Sequence, residues 1–423
     1  MNRIVPTITE SADELKILLK AEDDVKAAIS NRRYRLLFLL PLLVLTGCIG
    51  LFERPPQVRQ VALADLNGDG AQDIVVANGR FGEPYTFPSE IQYQILYNDG
   101  AGNFTASARL PVEMSFGALA LGDVDGDQFI DAVFLPNPTI IVNDGAGTLA
   151  HPHAVEHEGW ISGGVALADL NGNGRLDIFV ANCCGGVSFP AAGAPVRLIP
   201  ENMVFFNAGN GAFHDSGQRM GHAGSTAVAL GDLNGDGSPD AFVANGLTFL
   251  QIHGDPVWET PNEVWFNDGD GMFTDSLQAL GQRESWAVAL GDVNGNGFLD
   301  AVVGNAGPDE IWINDGQGFF TLLGEVNNGP TRQVFLVDLD GDDVLDLVTA
   351  GNTRARVWRN DGQGQLREIR SRIRYSANDA VGVGDMDGDG LPDIVVADVR
   401  GCQVWFNQGD GRFQTRRGAR CGR

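Results

Sequence analysis

A nine-residue acidic pattern, D-x-[DN]-G-[DN]-x-x-x-D, recurs seven times along the chain, and no other feature constrains the fold as much. It occupies Asp65–Asp73, Asp123–Asp131, Asp169–Asp177, Asp232–Asp240, Asp292–Asp300, Asp338–Asp346 and Asp385–Asp393, here loops one to seven. A second pattern, N-x-G-x-G-x-[FL], starts at Asn98, Asn143, Asn207, Asn267, Asn314, Asn360 and Asn407 and alternates with the first without exception. Successive acidic loops are 58, 46, 63, 60, 46 and 47 residues apart. A unit of this size cannot bury its own apolar face and has to stack on copies of itself.

The stretches between the landmarks read as strands. Before each acidic loop an apolar residue alternates with Ala or Gly, as in Val61/Leu63, Val228/Leu230 and Val288/Leu290. Such alternation marks a strand with little room on one face. After each loop comes a buried-looking run such as Ile74-Val75-Val76-Ala77, and a third strand such as Val264-Trp265-Phe266 precedes each Asn turn. A fourth follows it. Four short strands per unit and seven units predict an all-β fold, a seven-bladed β-propeller of four-stranded antiparallel blades. The propeller is placed at 58–423, with blades starting near 58, 115, 161, 224, 284, 330 and 377. The longer units carry their extra residues between strands two and three, near 80–92, 183–202 and 247–262.

The first 47 residues read differently. Ser11 and Glu14 form a capping box ahead of a helical stretch to about Ser30, so the propeller is preceded by a helical N-terminal and signal segment. Arg32, Arg33 and Arg35 precede the apolar run Leu36–Leu45. Ten residues are too few for the roughly 20 that span a bilayer, and the pattern fits a signal-peptide core. Leu45-Thr46-Gly47-Cys48 resembles a bacterial lipobox, which implies cleavage before Cys48 and lipidation of that cysteine. Residues 48–57 then form a tether, and the expected address is the bacterial cell envelope, outer membrane or cell surface, with the membrane reached through the anchor. The 35 residues ahead of the apolar run are long for a secretory leader, and a true start nearer Val25 is expected.

Charge follows the loops. The chain has 55 acidic and 29 basic residues, a formal net of -26. Residues 1–47 hold six acids and seven bases, which leaves 49 acids against 22 bases, all arginine. A chain this acidic repels phosphate, and nucleic acid is not an expected partner. The loop acids instead form an oxygen-rich set suited to a hard cation. Calcium takes 6–8 oxygen ligands, and positions 1, 3, 5 and 9 of each loop can supply them. The candidate ligands are Asp65, Asn67, Asp69, Asp73; Asp123, Asp125, Asp127, Asp131; Asp169, Asn171, Asn173, Asp177; Asp232, Asn234, Asp236, Asp240; Asp292, Asn294, Asn296, Asp300; Asp338, Asp340, Asp342, Asp346; and Asp385, Asp387, Asp389, Asp393. Up to seven Ca2+ ions, and at least four, are expected. Loop seven has four carboxylates and Gly390 at position 6, which makes it the strongest site. Loop two has Gln128 there, a poor fit to a positive φ, and is the weakest. The competing reading is a metal-free Asx turn whose side chains cap their own backbone.

The two repeated elements together resemble the FG-GAP/VCBS family, the repeats of the integrin α-subunit propeller and of many bacterial surface proteins. The resemblance covers residues 58 to about 418 and implies adhesion or binding. Topology puts the acidic loops and the Asn turns on one face and the insertions on the other. That other face is the candidate partner surface, with Phe81, Tyr85, Phe87, Phe189, Trp258, Trp286 and Arg332. The expected partner is a protein or glycan at the cell surface. Cys402 and Cys421 lie on hairpin partners of the last blade and are placed to form a disulfide. A scaffold subunit of an envelope complex is the first alternative. A polysaccharide-acting propeller enzyme, lyase or hydrolase, is the second, and no nucleophile elbow, zinc-protease or phosphate-loop motif supports it.

Overall fold

The computed structural model describes residues 57–79, 91–107, 110–112, 118–135, 138–155, 161–184, 187–188, 196–197, 201–221, 223–246, 260–326, 329–351, 353–376, 379–398, 401–416 and 420–421. The leader, Cys48 and the insertion aromatics Phe81, Tyr85, Phe87, Phe189 and Trp258 lie outside these residues. Among the described residues there is no helix.

Seven antiparallel sheets form the propeller, each four strands deep in sequence order. Blade one runs Gln57–Ala64, Asp73–Gly79, Ile91–Asn98 and Phe104–Ala106. Blade six runs Thr331–Val337, Asp346–Gly351, Ala355–Asn360 and Leu366–Ile369, and blade seven runs Ala380–Gly384, Asp393–Asp398, Gly401–Asn407 and Phe413–Gln414. The first strands of blades two to five are Leu119–Gly122, Ile161–Ala168, Gly224–Gly231 and Ser285–Gly291. Two sheets gain an edge strand: Leu110–Val112 joins blade one, and Arg420–Cys421 joins blade seven. The insertion in blade three contributes a small hairpin, Val187–Ser188 with Val196–Arg197.

Small residues on the first strands have a direct cause. A Cβ at Gly164 would lie 2.9 Å from the Cα of Ala227 on the next blade. A methyl there has nowhere to go, because the three nearest atoms, on Thr226, Ala227 and Val228, are all backbone. Farther out, the second strands are buried along their length, as in Asp240–Gly246. Apolar clusters between adjacent blades form the core. One joins Val76, Leu96 and Ile74 of blade one to Val395, Val404 and Phe406 of blade seven.

That cluster marks the closure of the ring. All four strands of every sheet come from one continuous repeat, so neither end of the chain lends a strand to the other. Closure rests on side chains instead. Asn98 of blade one donates from Nδ2 to the carbonyl of Met386 in blade seven at 2.9 Å. The equivalent bond occurs at each other junction: Asn143 to Leu66, Asn207 to Val124, Asn267 to Leu170, Asn314 to Leu233, Asn360 to Val293 and Asn407 to Leu339, all 2.7–2.9 Å. Cys402 is disulfide-bonded, and its backbone neighbour on the added edge strand is Cys421, as expected from the hairpin pairing.

Each clip asparagine is at most 3% exposed, so its loss would leave buried carbonyls unpaired. An unsatisfied buried group costs about 1–3 kcal/mol. Asn98→Ala is expected to destabilise the protein by roughly 2–4 kcal/mol in urea unfolding, since two donor bonds are lost. The exposed control Gln363→Ala should fall within about 0.5 kcal/mol of wild type. Equal effects from the two substitutions would remove the closure role of Asn98.

Candidate metal centres

Each acidic loop is a compact hydrogen-bonded turn, and loop four illustrates it. Asp232 accepts the amides of Gly235 and Asp236 on Oδ1 at 2.7 and 3.1 Å and that of Gly237 on Oδ2 at 2.9 Å. Asn234 Oδ1 takes the Asp236 amide, and Asp236 Oδ1 takes that of Ser238. Asn234 also donates from Nδ2 to Asp236 Oδ2 at 2.9 Å, so the side chains at positions 1, 3 and 5 are held within one turn by these bonds. Such Asx geometry is compatible with a cation, because a carboxylate oxygen that accepts one proton keeps a second lone pair.

Position 9 has another task. Asp240 is fully buried and accepts the Leu233 amide on Oδ2 and the Asn267 amide on Oδ1, at 3.0 and 2.8 Å. The same pair of bonds recurs at Asp73, Asp131, Asp177, Asp300, Asp346 and Asp393. This carboxylate locks the acidic loop to the Asn turn of its own blade, and the turn asparagine then reaches the neighbouring blade. The residue at position 2 supplies the carbonyl for that reach. It is always apolar and almost fully buried: Leu66, Val124, Leu170, Leu233, Val293, Leu339 and Met386. Neither role is read from the sequence patterns, which present position 2 as a variable site and the asparagine as a turn former. The sevenfold apolar character of position 2 is the signal that was there to be used.

Among the described residues, carboxylates converge in three loops: Asp123, Asp125 and Asp127 in loop two, Asp338, Asp340 and Asp346 in loop six, and Asp385, Asp387 and Asp393 in loop seven. The other candidate ligands, in loops one, three, four and five, occupy the same turn but include neutral Asn oxygens or a less tight carboxylate group. Position 6 takes a positive φ in loops two and six although neither has glycine there. Gln128 adopts φ 75° and Asp343 of loop six φ 63°. The turn imposes a conformation worth roughly 1–2 kcal/mol of strain on a non-glycine residue, and the surrounding amide bonds hold it there.

Buried oxygens without a hydrogen bond test whether these loops suit a cation. They include Asn171 Oδ1, Asp340 Oδ1 and Asp387 Oδ1, while Asp340 Oδ2 lies against the Arg359 guanidinium. All three residues stand at position 3. A buried acceptor without a donor is costly, and a hard cation is the group that satisfies several such oxygens at once. The residues therefore fit a divalent ion. Loops six and seven also carry a local counter-charge. The Arg359 guanidinium lies against Asp340 and is 3.6 Å from Asp342, and Arg416 lies against Asp387. Loop two has no such arginine among the described residues.

Burial and neighbouring charge leave a titration signature. Desolvation pushes the Asp393 carboxyl up to about 7, outweighing the lowering by the Asn407 and Met386 amides, with Asp387 and Asp389 adding repulsion. Asp131 and Asp240 are pushed up to about 6 for the same first reason. A carboxyl raised in the folded state stabilises the fold when protonated. That contribution is full below the ordinary value of 3.8 and is lost as pH rises through about 6 to 7. In chelator the protein is expected to melt several degrees higher near pH 5 than near pH 7.5 by scanning calorimetry. A chelated melt that rises across that interval would exclude these carboxyls as the titrating groups.

Comparison with known proteins agrees with this geometry. An FG-GAP-like repeat model matches residues 65–134, 199–243, 292–349 and 338–396, together just over half of the chain. Human cartilage acidic protein 1 is 29% identical over 148 residues, 33% of this chain and 20% of that protein. The chain thus spans about a fifth of the length of the curated relatives it matches. Two solved structures share the fold. An Agrocybe aegerita lectin, solved for its specific recognition of non-reducing terminal N-acetylglucosamine, has a TM-score of 0.53 at 20% identity, covering 78% of this chain and 89% of its own. BBS1N in complex with ARL6DN has a TM-score of 0.55 at 10% identity, covering 85% and 95%.

Proposed function

Because the chain belongs to the FG-GAP-like repeat family, we propose that it is a calcium-stabilised binding propeller of the bacterial cell envelope, lipid-anchored at Cys48. Its partner is a protein or glycan, met on the face opposite the acidic loops. The observation that carries the reading is the division of labour between the two ends of the molecule. At the acidic end, side chains are committed to locking turns and junctions. At the other end the rim keeps recognition chemistry: the Arg332 guanidinium sits 4.7 Å from the centre of the Trp286 ring, across the junction of blades five and six. Arg332 is exposed and Trp286 half-buried. Aromatic and arginine side chains are the types that most often dominate binding energy, and stacking pre-orders the long arginine.

The acidic loops would hold calcium through the position 1, 3 and 5 oxygens, with Asp346 and Asp393 joining in loops six and seven. The ion supplies positive charge to oxygens that otherwise repel one another, and the loops keep their shape. At a hundredfold excess over Kd a site adds about 2.7 kcal/mol. Millimolar calcium is therefore expected to raise the melting temperature at pH 7.5 by several degrees. The substitution Asp125→Asn in loop two should shrink that increment. An unchanged melt on adding calcium, after prior chelation, would rule out structural calcium.

The binding reading has its own test. Protein purified from envelopes after crosslinking in cells is compared with the Trp286→Ala and Arg332→Ala variants. Loss of one stoichiometric protein or glycan partner at unchanged melting temperature supports the rim as the binding surface. Full retention in both variants would eliminate it. Cys48→Ser should move the protein from the membrane to the soluble fraction, and continued membrane association would refute the anchor.

A further inference from the structure

Arginine is unevenly placed. Seven arginines stand within residues 352–376 against two acids, Asp361 and Glu368, in a chain with only 22 bases after residue 47. Arg359 is turned to loop six. Of the others, Arg354, Arg367, Arg370, Arg372 and Arg374 are exposed. No carboxylate among the described residues pairs with these five.

Their placement follows from register. The third strand of blade six, Ala355–Asn360, alternates Ala355 and Val357 toward blade seven with Trp358 toward blade five. Arg354 and Arg356 thus fall on the Trp358 side, and Arg356 stands opposite Thr349. The chain after Leu366–Ile369 continues beside this strand. Ala355 donates to the Ile373 carbonyl, and Arg354 bridges to Arg374. Ile373 packs toward blade seven with Ala355. By alternation Arg372 and Arg374 then share the side of Arg354 and Arg356. Like charges directly across a sheet are destabilising, and here Arg354 faces Arg374. Only Glu368 offsets them, 3.4 Å from Arg356 and 41% exposed, and exposed pairs of this kind contribute little.

A pocket of about 210 Å³ opens beside this group, lined by Pro330, Thr331, Thr349, Gly351, Thr353, Arg354 and Arg356. Arg354 and Thr353 are the exposed polar members of this lining and Arg356 is half-buried, while Thr331 and Thr349 are buried in its wall. The Thr331 hydroxyl is held by Asp309 at 2.8 Å, and Thr349 accepts from the Trp358 indole at 3.5 Å, so the wall is ordered by its own bonds. Thr353 is exposed at the mouth.

We propose that this face of blade six binds an acidic saccharide, a sugar residue bearing a carboxylate or sulfate, with Arg354 and Arg356 on the anion and the exposed Thr353 hydroxyl on a sugar hydroxyl. Arg372 and Arg374 extend the contact to a neighbouring acidic residue of the same glycan. The guanidinium fork matches a carboxylate in two parallel hydrogen bonds. The pocket has room for about one sugar ring. A nucleic acid fits less well. It carries one charge per roughly 1.7 Å of duplex, and the chain as a whole has a formal net charge of -26. The proposal rests on the reading of the chain as a binding module but uses none of the rim pair, so the rim variants and those below fail independently.

The test is calorimetric titration of the whole mature protein with a trimer of galacturonic acid, its methyl ester, a single-stranded oligonucleotide and inorganic phosphate. Expected is binding of the trimer that weakens with added salt, and at least tenfold weaker binding of the ester. The double variant Arg354→Gln, Arg374→Gln should lose tenfold or more in affinity while melting at or above the wild-type temperature, because cross-strand repulsion is relieved. Thr353→Val, at an exposed position, gives a second reading and should cost several-fold. Arg367→Gln, at the far end of the edge strand, should stay within twofold. No binding of the trimer, equal binding of its ester, or indifference to both the double variant and Thr353→Val would overturn the proposal. Tighter binding of the oligonucleotide or of phosphate alone would replace the saccharide with a general anion site and equally overturn it.

Discussion

A single buried amide in each repeat holds this propeller together. The clip asparagine donates to a carbonyl of the preceding blade and to one of its own, and its Oδ1 accepts the amide of its own glycine turn, as Asn314 does with Leu233, Leu299 and Gly316. Every other feature of the acidic end arranges for that amide to be in place. The position 9 aspartate anchors the asparagine backbone, the position 2 residue offers the carbonyl while plugging the inter-blade core, and the glycines let the turn close against it. At Gly318, φ is +81° and a Cβ would lie 2.3 Å from the Phe266 ring of the blade before. Shape and hydrogen bonding therefore exclude a side chain at the same position.

Concentrating carboxylates at one end has an electrostatic cost that the protein meets in two ways. Backbone amides bond to positions 1, 5 and 9 in every loop and to position 3 in loops one, two, four and five. Arginines stand against the acidic loops of blades six and seven, and Arg416 also lies 3.9 Å from the centre of the Phe406 ring. The opposite end of the molecule has a different chemistry. Serine and asparagine tie strands one and two in blades three, four and five, through Ser162–Asn182, Ser225–Asn245 and Ser285–Asn305 at 2.8–2.9 Å. Blade six lacks that tie: Thr331 and Gly351 occupy the matching positions, and the pocket opens there.

Much of the architecture was legible because period and spacing are written in residue identity. Seven acidic loops, seven Asn turns and the alternation before each loop were enough for blade number and strand order, and the hairpin register was enough to pair Cys402 with Cys421 on the backbone. What was hidden depends on contacts between repeats. A pattern within one repeat says nothing of which carbonyl an asparagine will reach 67 or 288 residues away. Gln128 takes the positive φ that its position in the pattern implied, and amide bonds to Asp123 and Asp127 hold the turn around it. The arginine face of blade six escaped because its edge strand loses simple alternation after Ile369, where the Ser371 amide turns back to the Ile369 carbonyl.

The absence of strand exchange separates the ring from the order in which the chain was threaded. Six junctions are crossed by a peptide linker and one is not, yet the bond from Asn98 to Met386 is the same as the other six. Connectivity is thus not what defines a neighbour here. A chain opened at another linker, with its old ends joined, contains the same seven clips and the same interblade clusters. Each repeat is then an interchangeable wedge, and the count of wedges is set by how far each rotates about the axis before the last asparagine finds the first carbonyl.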